Sequence, residues 1–230
     1  MSAAVTLPEL GPALGRLVHP AAPEGIDALL APVRLSLVTR LLGAAGEARA
    51  ALDAGSNSAA RAALAPAAWA AMWDAATEEA AAAVIGQLDQ RITAAAVTAR
   101  MPEWRVERHR VTPEEHRAIH ARLGASAGAM LRAAAELEHA SGPAWSAQVL
   151  ATARRMESAW SGLSAAATWE LAEWEADIAA IAAWRRARWP LWTATAVVYG
   201  VALWAGLMLG GYLRIPAALR PVAELLWRHL

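Results

Sequence analysis

The chain has 230 residues, and its 21 arginines balance 21 acids to a formal net charge of zero, with no lysine, phenylalanine or cysteine. No global field therefore draws in nucleic acid or an acidic partner. The missing cysteines exclude disulfides, thiolate metal sites and cysteine nucleophiles. The abundance of alanine and arginine fits a GC-rich coding sequence and is not read as a functional signal.

Residues 1–31 carry Pro8, Pro12, Pro20 and Pro23 and are expected to form an irregular arm. No cationic run followed by an apolar one opens the chain, so it does not read as a signal peptide. Pro32 suits the first turn of a helix, where its missing N–H costs nothing. From there Val33, Leu37, Leu41 and Ala44 recur at helical spacing, widened by Val38 and Leu42. Gly55 in DAGSNS predicts a turn.

A second stretch runs from about Ser58 to Arg100, with Pro66 as a kink or a fresh start. Trp69, Trp73, Ala76, Ala80, Val84, Leu88, Ile92 and Ala95 step by three or four, and Asp74, Glu78, Glu79, Asp89 and Arg91 mark a bundle helix rather than a membrane one. RMPEWRVERHRV, residues 100–111, follows. Arg100, Arg105, Arg108 and Arg110 there are candidate phosphate contacts, with Trp104 to stack on a base. The ordinary reading is a solvated connection, because Glu103 and Glu107 cut the local field.

Thr112-Pro113-Glu114-Glu115 is a capping box and the clearest helix start in the chain. Ile119, Leu123, Met130, Ala134 and Leu137 form its buried stripe, and Gly124 and Gly128 are read as points of close helix approach. His116 and His120, four apart, are candidate metal ligands by spacing. The motif lacks HExxH and a third ligand, so boundary histidines are the ordinary alternative and no metal or other cofactor is assigned.

From Pro143 a long helix places Trp145, Val149, Thr152, Met156, Trp160, Leu163, Ala167, Leu171, Trp174, Ile178 and Ile181 on one face. Glu170, Arg154 and Arg155 are read as flanking charges. The opposite face is small-residued. Trp169, Ala165, Ala172, Ala176 and Ala180 on it form a candidate interaction surface for a protein partner or a second copy.

Trp189 to Leu213 is 25 residues without a charge, against the roughly 20 that cross a bilayer. Trp189, Trp192 and Tyr212 suit the headgroup level. The segment is expected to be a transmembrane helix, with Pro190 as a site for a kink. Ala202, Gly206 and Gly210 make a small-residue ridge for packing of a second helix. Residues 214–230, with Leu219, Val222, Leu226 and Leu230 on one side and Arg220, Glu224 and Arg228 on the other, predict a short amphipathic tail near Trp227.

The expectation is an all-α protein. An irregular arm (1–31) precedes a helical bundle (32–188), a single transmembrane helix (189–213) and an amphipathic tail (214–230). The bundle is placed in the cytoplasm at a bacterial inner membrane. No GxSxG, Walker A, GxGxxG or ferritin-like ExxH pattern is present, and the function expected is non-catalytic. The chain would be a membrane-anchored scaffold or adaptor holding a protein partner or itself at the lipid bilayer. The alternatives are a membrane-tethered accessory of a nucleic-acid-processing complex and a pore-forming or membrane-perturbing oligomer.

Overall fold

The computed structural model describes Leu14, Leu17 and residues 25–209, and among these the chain is all-α with no strand. Most of the arm, the tail 214–230, Gly210 and Tyr212 lie outside the described residues.

Helix α1 covers Ile26–Asp53. It starts six residues before Pro32, which lies inside it; losing one hydrogen bond there is outweighed by the burial of Leu30, Val33, Leu37 and Leu41. Leu42, read as widening the stripe, is 47% exposed. Leu14 and Leu17, assigned to an irregular arm, are buried in the main core. Gly55, with φ +76°, makes the predicted turn. Helix α2, Asn57–Ala63, is capped by Ser56. Pro66 is a restart, opening α3, Pro66–Ala99. All eight residues of the predicted α3 stripe are buried.

Helix α3 ends on Arg100 in the left-handed conformation, φ 50°. A turn, α4, Glu103–Val106, runs into the 3-10 turn Glu107–His109. The capping box forms: Thr112 N–H donates to Glu115 Oε2 at 2.6 Å, and Glu115 N–H donates to Thr112 Oγ1 at 3.2 Å. It opens α5, Pro113–Gly124. A 3-10 turn, Ala125–Ala127, separates α5 from α6, Gly128–Glu136. Next come α7, Pro143–Glu173, and α8, Glu175–Leu209.

Helices α3 and α7 touch each other, and each touches both α1 and the α5–α6 arm, so they form the shared middle of a bundle. Polar ties set the register. Arg40 of α1 pairs with Glu79 of α3, Ser164 Oγ of α7 donates to Asp27 Oδ1 of α1 at 3.2 Å, and Arg61 Nη1 donates to the Ala140 carbonyl at 2.7 Å. Among the described glycines the tightest surroundings are at Gly162. A Cβ on Gly162 would sit 2.8 Å from Ser126 Cβ, whereas one on Gly124 would meet Thr77 Cγ2 at an ordinary 3.5 Å.

The lower part of α8 packs on the end of α3. Ile92, Ala95, Ala96 and Ile181 form a second, smaller core, closed by Met101, Val106, Trp174, Ile178 and Ala182. Arg91 pairs with Glu175 beside it. The break between α7 and α8 falls at Trp174, and Pro190 lies inside α8. Among the described residues two stretches are long and apolar enough to cross a membrane by length and composition: α1, and the α7–α8 rod over its distal part. A third of the α1 window is buried in the bundle, against none of the α8 window.

Candidate functional site

Above the second core, α8 leaves the bundle. Among the described side chains from Arg185 onward none is buried. Trp189, Leu191, Trp192, Val197, Val198, Tyr199, Val201 and Leu203 are each at least 59% exposed. The described apolar part, residues 189–209, has 21 residues and so rises about 31 Å, close to the roughly 30 Å of a bilayer core. Ala202 and Gly206 are exposed on it, and a Cβ added at Gly206 would meet nothing within 4 Å.

Arginines and tryptophans alternate where this rod leaves the bundle. Arg108 lies over the Trp104 ring at 5.4 Å and Arg105 over the same ring at 5.3 Å. Arg105 also reaches the Trp184 ring at 5.6 Å. Arg188 lies over Trp184 at 5.0 Å and over Trp192 at 5.9 Å. Trp184, Arg188 and Trp192 stand four apart on one face of α8, the spacing at which helical side chains meet. Each such contact contributes about 0.5–1 kcal/mol at exposed sites, so the ladder fastens the α4 turn to the emerging rod.

The four candidate phosphate contacts therefore part company. Arg105 and Arg108 join the ladder, Arg110 pairs with Glu107 at 3.6 Å, and Arg100 is the α3 cap. Most of the segment is exposed, as a solvated connection would be, while Val106 and Met101 pack against the second core. Trp104, proposed as a base-stacking ring, already carries two guanidinium groups. The sequence signal overlooked was the Trp184, Arg188, Trp192 spacing.

On the small-residue face Ala165, Trp169, Ala172, Ala176 and Ala180 are all exposed. Trp169 is not an unengaged anchor, because Arg122 of α5 lies over its ring at 5.6 Å. Arg122 also grips Glu170, with Nε donating to Oε1 and Nη2 donating to Oε2 at 2.9 Å. Glu170, read as a flanking surface charge, is 1% exposed. The bundle tolerates it because the guanidinium satisfies both oxygens. The Arg122 guanidinium is held above its ordinary value, first by its hydrogen bonding to Glu170, with burial opposing and the charges of Glu170 and Glu173 assisting.

His116 and His120 face one shallow cavity with Glu78. His120 Nε2 lies 3.4 Å from Glu78 Oε2 and 3.9 Å from Asp74 Oδ1. Among the described residues no three His, Asp or Glu side chains are grouped so as to hold a metal ion.

No protein-family model matches this sequence, and no curated protein or solved structure is significantly similar to it.

Proposed function

We propose that the chain is a single-pass, membrane-anchored helical scaffold. Residues 189–213 would fix the bundle to the inner membrane of a bacterium, with the bundle on the cytoplasmic side. There it holds a protein partner or a second copy of itself, without catalysis. The observation that carries this reading is the bare distal half of α8. Removing a large apolar side chain from water is worth roughly 1.5–3 kcal/mol. Eight such residues thus gain roughly 10–25 kcal/mol from an apolar surround, comparable with or above the whole stability of about 5–15 kcal/mol of a domain. Lipid supplies that surround over the full length of the rod. Confining a partner to the membrane then raises its effective concentration with no new chemistry.

The experiment is carbonate extraction followed by flotation with phosphatidylcholine liposomes. The full-length chain is expected to float with the lipid. Replacing Val198 and Leu203 with arginine should lower the floated fraction, since a central arginine costs about 2.5–3.5 kcal/mol on insertion scales. A native chain left at the bottom of the gradient overturns the reading.

A further inference from the structure

We propose that the Arg–Trp ladder is a binding site for the phosphate of anionic phospholipid headgroups, an inference that rests on the anchoring read from α8. Its place comes first: the ladder starts on the α4 turn and ends at Trp192, within the uncharged stretch, so with 189–209 in the hydrocarbon its arginines lie at headgroup level.

Charge comes next. Residues 100–110 and 183–192 hold seven arginines and two glutamates, a local net charge of +5 in a chain whose total is zero. Glu107 is taken by Arg110, Glu103 precedes Trp104, and the acids lower on the rod are Asp177 and Glu175, the latter held by Arg91. Arg105, Arg108 and Arg188 have no ion-pair partner among the described residues.

Geometry supplies the third argument. A guanidinium lying on an indole face keeps its in-plane N–H groups outward, and these form the fork that grips a phosphate. Stacking also holds the side chains in place, so less rotamer freedom is lost on binding. Nucleic acid fits less well. Trp104 and Trp184 each already carry two guanidiniums, which compete with bases for the ring faces.

The test reconstitutes the full-length chain in phosphatidylcholine bilayers and measures, by electron paramagnetic resonance, the association of spin-labelled phosphatidylglycerol relative to spin-labelled phosphatidylcholine. The native chain should prefer the anionic lipid several-fold, weakening with salt. Arg188→Gln should lower that preference by up to about fivefold, from the roughly 1 kcal/mol that one basic residue contributes near an anionic surface. Combined with Arg105→Gln and Arg108→Gln it should bring the preference to unity. Arg132→Gln with Arg154→Gln and Arg155→Gln, all exposed on the bundle, should leave it unchanged. Equal association of both lipids with the native chain, or an equal loss in the bundle variant, overturns the proposal. So does abolition of the preference by 10 mM glycerol phosphate, which would assign the ladder to soluble phosphate. Ladder-dependent retention of duplex DNA without lipid preference assigns it to nucleic acid. Extraction of the native chain by carbonate is a separate failure, of the anchor, and removes the lipid site with it.

Discussion

Glu170 lies buried in the bundle against Arg122 of α5. Its carboxylate is 1% exposed while Arg122 is nearly half exposed, so losing either partner has unequal results. Arg122→Ala strands a buried charge and should destabilise the fold by about 3–5 kcal/mol. Glu170→Gln leaves an arginine that water can reach, and should cost less, about 1–2 kcal/mol. Thermal unfolding followed by circular dichroism in mild detergent should rank the two in that order. The guanidinium value is raised, so the stability tied to that shift is present at every pH below the ordinary guanidinium range and fades only as pH rises through the raised value. Arg122 therefore stays charged through the neutral range. Arg100 holds a left-handed φ of 50° that glycine adopts freely, and Arg100→Gly should stabilise by up to about 1 kcal/mol in the same assay.

Among the elements, the α5–α6 arm and α7 meet at Gly162. Gly162→Ala forces a Cβ to within 2.8 Å of Ser126 Cβ, with Ser126 backbone at 3.8 Å behind it, and should cost about 1–3 kcal/mol by overpacking. Gly128→Ala meets only the flexible tip of Arg132 at 3.6 Å. It should be neutral or stabilise by up to about 1 kcal/mol, since alanine favours the helix; paired melting curves of the two variants check the contrast. The small-residue face of α7 is open to an occupant. Because Trp169 is already stacked beneath Arg122, Ala165 and Ala172 offer the cleaner test. Ala165→Glu with Ala172→Glu should lower the yield of crosslinked dimer or captured partner. The melting temperature should stay nearly unchanged, as is usual for exposed positions. Undiminished crosslinking removes that face from the scaffold reading.

For the whole molecule, the proposed anchoring raises the question of which side of the membrane holds the bundle. A chain without cysteine allows a single thiol to be placed at will. Ser161→Cys, exposed on α7, should resist a membrane-impermeant maleimide in intact bacterial cells and react after permeabilisation. Reaction in intact cells reverses the proposed orientation. A lipid-facing ladder on the cytoplasmic leaflet belongs to the same arrangement, because that surface is the negatively charged one.

The sequence alone determined the helical class, the buried stripes of α3 and α7, the capping box at Thr112 and the apolar rod, because each is written in residues three or four apart on one element. Periodicity within an element does not say which neighbour approaches it. Glu170 looked like a flanking charge until α5 brought Arg122 against it, and nothing local marks Gly162 as the place where Ser126 comes within reach. Leu14 and Leu17 continue the three-and-four spacing of Leu7 and Leu10, but Pro8 and Pro12 among them made the stretch read as irregular. Arg105 and Trp184 are 79 positions apart, so only the packing of α4 on α8 could join them into one ladder. Contacts between distant segments are properties of the packed fold, and tertiary structure decided them.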